Sequence, residues 1–277
     1  MRGGLRGINV ERQLCCGPWV GELGWELMSW QGLLRRASKD FGCVIVCGPE
    51  GHEALYEDFC HKYFPHRITG VKDCWWVEGA HPSVVAATSE FLLSMGGQRL
   101  LPERYVSLGQ QHFVIYGHVG PEIPRFDVLV HARKRIGKRP DHAWSEPKWD
   151  ILVENLVAAN LLVAAIGTVN ESYCPRGAVD RRDIPLRDLM NLMAAAGLVV
   201  GPSSGPMHLA SLCRTPHIVW TDKQRYSSIN ATNRERYEKL WNPFQCRCTV
   251  LDAQGWDPAY LDVLKAVLSE LDRGVKP

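Results

Sequence analysis

The chain has 277 residues, 45% of them apolar, and its 32 basic and 30 acidic side chains leave a formal net charge of +2. That length supports two modest domains or one large one around a real core, and so balanced a charge gives no support to a dedicated nucleic-acid coat. Ten cysteines include no CxxC, so their spacing does not frame a zinc site. The start of the chain is polar, without an apolar signal segment. The longest apolar tract, residues 156–167, carries Asn160 and is too short for a membrane span. A soluble, reducing, cytoplasmic setting is the expectation.

In chain order, residues 1–12 read as a flexible or edge segment and 13–16 as a short first strand. Residues 17–24 form a Gly-rich loop, and 25–38 have helical periodicity with Trp25, Met28, Leu33 and Leu34 inward. Residues 43–47 are a strong strand, ended by Gly48 and Pro49. Residues 51–60 predict a short helix. This opening predicts a parallel sheet. The pattern then weakens: strands are expected over 67–69, 74–77, 105–108 and 112–116, and a helix over 83–94. The Gly- and Pro-rich stretch 117–126 predicts an interdomain linker.

Residues 127–131 read as a buried strand, followed by a basic, turn-rich stretch. A helix over 146–159, a strand over 161–166 and a polar loop over 168–184 come next. Residues 186–196 form an amphipathic helix. Residues 198–220 then read as strand, tight turn, helix, turn and strand. A short helix near 235–240, a last strand over 248–251 and a terminal helix over 257–271 complete the chain. The domains expected are 1–120 and 125–256, both α/β, with a C-terminal helix in 257–277.

The turn in 198–220 carries the chemistry. Gly201 and Pro202 break the strand, Ser203 or Ser204 can cap the next helix, and Pro206 is tolerated in its first turn. A helix start with spare amides and hydroxyls is an anion site by construction, and a diphosphate is the natural anion at the carboxyl end of a parallel sheet. The plain alternative is an ordinary capped turn. Arg133, Lys134, Arg135, Lys138 and Arg139 follow a strand end on that same face, where cations can balance phosphate charge; a solvated loop or a nucleic-acid contact are the other readings. Glu171 follows the Gly167 turn, and a carboxylate there can accept from both ribose hydroxyls. His208, one turn into the helix, reads either as a diphosphate contact or as a core histidine; with no partner at helix spacing it is not a metal ligand. In the first loop, Glu22 and Glu26 are rival bases for an acceptor hydroxyl, and either can equally serve the helix dipole. Trp19 and Trp25 are the acceptor-side aromatics.

SSGPMHLA followed by TPHIVW resembles the donor motif of the heptosyltransferase-like (ADP-heptose:lipopolysaccharide heptosyltransferase) family of GT-B glycosyltransferases. Gly201, Ser204, Gly205, His208, Leu209 and Ala210 match, while Ser203 stands where the family usually has Asp. His131, Ala132, Arg135, Trp144 and Trp149 match a second stretch, in which Arg133 and Lys134 replace small hydroxyl residues. Gly21-Glu22 matches the family's Gly-Asp pair with Glu for Asp. The resemblance implies an α/β, GT-B-like chain of two Rossmann-like domains with parallel sheets facing across a cleft, 1–120 on the acceptor side and 125–256 binding the nucleotide sugar. It implies sugar transfer from a nucleotide sugar as co-substrate, with inversion and without a metal or other cofactor. Donor contacts implied are Arg133, Lys134, Arg135, Glu171, Ser203, Ser204, Gly205, Met207, His208 and, at the rim, Asp222. The acceptor is open among a glycan, a small molecule, a protein and a hydroxymethylated DNA base, the last requiring base flipping in duplex DNA. A non-catalytic nucleotide or nucleic-acid binding module and a nucleotide-sugar epimerase of GT-B architecture are the alternatives.

Overall fold

The computed structural model describes residues 12–68, 86, 90, 92, 94–102, 106–134, 142–226 and 230–274. The chain divides into two compact units, Met1–Phe113 and Val114–Pro277.

The first unit holds a four-stranded parallel sheet of β1 (Gln13–Cys16), β2 (Cys43–Pro49), β3 (Lys62–His66) and β4 (Gln98–Leu100), in the order β3-β2-β1-β4. The two central strands are short apolar runs, as strands covered on both faces must be, and they register Leu14 on Val44 and Cys16 on Val46. Between them runs helix α1, made of Leu23–Trp25, a π-helical turn Glu26–Trp30 and Gln31–Ala37.

Residues 51–60, expected to be helical, contain only a 3-10 turn, Glu53–Leu55. The buried guanidinium of Arg35 braces this segment: it donates to the Leu55 carbonyl at 2.9 Å, and Phe59 N bonds Tyr56 O in a turn. Arg35 also grips Asp58 through Nε at 2.6 Å and Nη2 at 3.0 Å. β3 lies earlier than the expected 67–69 strand and includes Pro65, which is tolerated because this is an edge strand. β4, polar and at the other edge, was not foreseen. No strand forms over the described residues of 105–108 and 112–116. There, Leu108–Gln110 is a 3-10 turn, and the Gln111 amide reaches Met28 O at 2.8 Å and Val106 O at 2.9 Å. The expected segment 1–12 up to residue 11, the 74–77 strand, and all of the 83–94 helix except Ala86, Glu90, Leu92 and Ser94 lie outside the described residues.

The second unit holds a six-stranded, all-parallel sheet in the order β12-β9-β8-β5-β6-β7. Its elements are β5 (Val128–Val130), α2 (Glu146–Ala158), β6 (Val163–Ala165), β7 (Val179–Asp180), α3 (Leu186–Ala195), β8 (Leu198–Pro202), α4 (Gly205–Leu212), β9 (His217–Trp220), β12 (Cys248–Leu251) and α6 (Tyr260–Gly274). In the polar stretch after β9, a small antiparallel hairpin, β10 (Arg225–Tyr226) and β11 (Ala231–Thr232), leads into α5, Asn233–Glu235 continued by a π-helical turn Arg236–Leu240. Thr232 and Glu235 form a reciprocal capping box that starts α5. α6 begins at Tyr260, later than the expected 257.

The core beneath this sheet joins Val128, Val130, Leu152, Val200, Val263 and Val267 to three buried indoles. Trp144, Trp149 and Trp220 meet with ring centroids 5.0–5.3 Å apart, in the edge-on and tilted geometries that aromatic quadrupoles favour. Trp144 Nε1 donates to Pro258 O at 2.9 Å, tying the segment before α6 to the start of α2.

Candidate functional site

In the second unit the chain order reverses between β5 and β8. β6 and β7 extend the sheet to one side, β9 and β12 to the other. In an open parallel sheet, ligands bind beyond the carboxyl ends of the strands at that reversal. Three segments arrive there. β5 runs into His131, Ala132, Arg133 and Lys134. β8 runs into Ser203 and Ser204, after which α4 begins. β9 ends at Trp220, in register with Pro202, and releases Thr221 and Asp222.

Ser204 takes the N-cap position with extended backbone, and Pro206 sits in the first turn. The hydroxyl does not cap as expected: its Oγ lies 2.9 Å from Nδ1 of His131, joining the ends of β5 and β8. Arg133 Nη1 donates to the Ser203 carbonyl at 2.9 Å and repeats that tie. His131 is buried, and burial, helped by the charge of Arg133, pushes its imidazole down to about 3. The ring is therefore neutral at neutral pH, beside a permanent cation. Gly201 allows the close approach, because a Cβ there would sit 3.0 Å from His131 O and 3.1 Å from Met207 Sδ.

The basic segment is held from its other side. Arg133 forms an antiparallel bridge with Ser172, Lys134 N donates to Glu171 O at 2.7 Å, and Tyr173 N donates to Ala132 O at 2.8 Å. The exposed side chains of Glu171 and Lys134 thus come from paired segments, and Lys134 Nζ lies 3.3 Å from Glu146.

Tyr237, on α5, completes the cluster and was missed in the sequence. Its hydroxyl accepts from Ser204 N at 3.2 Å, donates to Ser203 Oγ at 3.2 Å and lies 3.2 Å from His208 Nε2. The first amide expected for an anion therefore already has a partner; the next, Gly205 N, begins the helix and has no acceptor within it. His208 is buried and stacked on Tyr237 with centroids 4.5 Å apart. Burial first, then Arg236 and His217, push its imidazole well below its ordinary value. Met207 is fully buried under the turn. Asp222 anchors two loops: it accepts from Gln224 N at 3.1 Å, Tyr226 OH at 3.1 Å and Trp256 Nε1 at 2.9 Å.

At the carboxyl edge of the first sheet, the loop after β1 is tied down by Gly17 N to Leu100 O and Trp19 N to Cys47 O, both 3.0 Å. Trp19 is buried and stacked on Trp30 at 5.8 Å, with its Nε1 donating to Gly21 O at 3.1 Å. His66 Nε2–H donates to Trp19 O at 2.6 Å. Glu22 is half-buried at the N-cap of α1, with Trp25 half-buried in its first turn. Glu26 is sealed from solvent. Its Oε1 accepts from Tyr56 OH at 2.5 Å and its Oε2 from His52 Nδ1–H at 2.6 Å.

The second unit thus gathers Arg133, Lys134, Glu171, Ser203, Ser204, Gly205 and Asp222 at its carboxyl edge, with Met207 and His208 behind them. The first unit gathers Trp19, Glu22, Trp25 and Glu26 at its own. Arg135 lies outside the described residues. Among the described residues no group of three or more His, Cys, Asp or Glu is arranged to hold a metal ion, and no helix is long and apolar enough to cross a membrane.

No protein-family profile matches the sequence, and no curated protein matches it. Solved structures are similar. ADP-heptose lipopolysaccharide heptosyltransferase II of E. coli is 15% identical with a TM-score of 0.56, over 96% of this chain and 100% of that one. A glycosyl transferase family 9 protein from Veillonella parvula is 10% identical with a TM-score of 0.61, over 96% and 98%. The iron-containing dodecameric glycosyltransferase of enterotoxigenic E. coli is 14% identical with a TM-score of 0.51, over 96% and 77%. At such identities the likeness is one of fold. The chain has two Rossmann-like α/β domains with parallel sheets, the GT-B fold, as the motif in 198–220 led one to expect.

Proposed function

We propose that this protein transfers a sugar from a nucleotide-sugar donor to an acceptor hydroxyl, with inversion at the anomeric carbon. The observation that carries the reading is the joined polar ends of β5 and β8, His131 to Ser204 and Arg133 to Ser203, at the order reversal of the second sheet. The three solved structures described above are glycosyltransferases by name, which favours transfer over simple binding.

As the bond between the anomeric carbon and the diphosphate breaks, negative charge grows on the leaving oxygens. Fixed donors aimed at that charge stabilise the transition state more than the ground state. Arg133 supplies the positive charge, with Ser203, Ser204 and the Gly205 amide as short-range donors at the positive end of α4. These groups do the work without a metal cofactor. Neutral His131 holds the Ser204 hydroxyl in place without adding a second charge. Glu171 accepts from the ribose hydroxyls, and Asp222 keeps the rim loops in position. On the acceptor side, Trp19 and Trp25 shape the first loop, and the carboxylates Glu22 and Glu26 serve deprotonation of the acceptor hydroxyl. A hydroxymethylated DNA base is the acceptor we would try first.

The test is a panel of nucleotide sugars, incubated with and without hydroxymethylated DNA, with nucleotide release followed by mass spectrometry. Release coupled to a glycosylated product is the expected result, and release only with DNA assigns the acceptor. Binding of a nucleotide sugar with no product from any acceptor would leave a binding module, and an epimerised sugar nucleotide would replace transfer with epimerisation.

A further inference from the structure

The first unit contains an imidazole with one nitrogen locked and the other open. His52 follows β2 at the carboxyl edge of the sheet, three residues past Pro49. Its Nδ1 is 2.6 Å from Oε2 of Glu26, whose side chain is 0% exposed. In the tautomer that donates Nδ1–H to this oxygen, Nε2 presents a lone pair. The His52 side chain is 24% exposed, and among the described residues Nε2 has no hydrogen-bond partner. Glu26 is fixed in turn by Tyr56 OH at 2.5 Å on its other oxygen. It projects from the π-helical turn Glu26–Trp30, which interrupts an otherwise regular helix at this point. A carboxylate that orients an imidazole, whose far nitrogen then takes a proton, is the working half of a catalytic triad.

We propose that Nε2 of His52 is the base that deprotonates the acceptor hydroxyl, and that Glu26 is its positioning residue. The inference rests on the glycosyl-transfer reading above and takes neither Glu22 nor Glu26 as the direct base. Glu26 is enclosed and acts through His52. In the step, the acceptor oxygen forms its bond to the anomeric carbon while its proton passes to Nε2. The bond from that carbon to the diphosphate breaks, and its electron pair leaves with the nucleoside diphosphate. The imidazolium is compensated by Glu26 and afterwards loses its proton to water. The titratable groups that act on His52 are Glu26 on α1, Glu53 on the segment after β2 and His66 on β3, while Tyr56 holds the other oxygen of Glu26. Burial works to lower the His52 pKa, but attraction and hydrogen bonding to Glu26, with Glu53 beyond, outweigh it and leave the ring more basic than a free imidazole.

The experiment uses the full chain and the donor–acceptor pair that turns over in the nucleotide-sugar panel, and measures kcat, KM, donor affinity by calorimetry, and the pH–rate profile. His52→Gln is expected to lower kcat by about 10²–10⁴-fold, the range for a general base, with donor affinity unchanged. Glu26→Gln, which preserves the shape of the buried side chain, should lower kcat less and move the acidic limb of the profile to lower pH. A merely structural tie would leave that limb where it is. Glu26→Asp should recover part of the rate, and the double variant should be little slower than His52→Gln alone. Full activity in a folded His52→Gln, or loss confined to Glu22→Gln, overturns the proposal while leaving sugar transfer intact. A panel in which no pair turns over overturns both readings.

Discussion

At Gly17 the backbone turns with φ +102°, and a Cβ there would lie 2.4 Å from the Cys47 carbonyl oxygen. An L side chain is disfavoured at that φ and has no room besides, so Gly17→Ala should destabilise the protein by roughly 1–3 kcal/mol. A thermal melt unchanged within a degree would disprove this. Ser204 is the corresponding residue in the second unit, but its effect is chemical. Ser204→Ala removes the partner of buried His131 Nδ1, and a buried polar atom left alone costs about 1–3 kcal/mol. It also removes a donor from the proposed diphosphate site. Nucleoside diphosphate affinity should fall about tenfold, the equivalent of one good hydrogen bond to a charged group. Calorimetry with ADP and UDP measures it, and unchanged affinity for both would move the diphosphate away from this turn.

Among the elements, α5 shows how a helix outside the donor motif can contribute to the site. Its capping box sets Tyr237 so that one hydroxyl meets Ser204 N, Ser203 Oγ and His208 Nε2. Tyr237→Phe should lower stability by about 1–3 kcal/mol, because the buried His208 Nε2 loses its partner. A denaturation midpoint equal to that of the wild type would show that the three contacts carry no net stabilisation. Tyr237 was not legible in the sequence: it lies 33 residues beyond Ser204, and its capping box, Thr232 to Glu235, signals a helix start but not where the helix points. The β8–α4–β9 unit was legible because its apolar runs, Gly-Pro break and Pro-bearing helix start all act locally. The segment after β2 was not, because its bracing is non-local: Arg35, 20 residues before Leu55, donates to the Leu55 carbonyl. His52 was hidden by that same misreading, since a helix over 51–60 would have placed it in a first turn. β7 and the β10–β11 hairpin are two residues long in each strand, too short for period-2 alternation to register.

For the molecule as a whole, the buried imidazoles of the second unit make it sensitive to acid in a way that the partly exposed imidazoles of the first unit do not. In the second unit, burial with Arg133 holds His131 down at about 3, burial holds His217 down at about 4 against the Thr215 carbonyl, and His208 lies well below the ordinary value through burial, Arg236 and His217. Each is neutral in the folded state at a pH where the unfolded chain binds a proton. Stability is therefore full above the ordinary value of about 6.5 and is lost as pH falls below it, with a limiting slope of about 1.4 kcal/mol per pH unit for each ring. Three such rings remove on the order of 4 kcal/mol by about pH 5.5, before the carboxylates begin to protonate. His52 in the first unit has the opposite sign. Its pKa is raised by Glu26 against burial, so its contribution is present below about 6.5 and is lost as pH rises through the folded value; His66, lowered by burial, works against it. Hydrogen exchange read segment by segment between about pH 7.5 and 5.5, corrected for intrinsic exchange rates, should show β5, β8 and β9 losing protection on acidification while β1 and β2 change little. Equal loss in both sheets would mean that the unit-specific charge states drawn here are wrong, and with them the neutral His131 on which the diphosphate site depends.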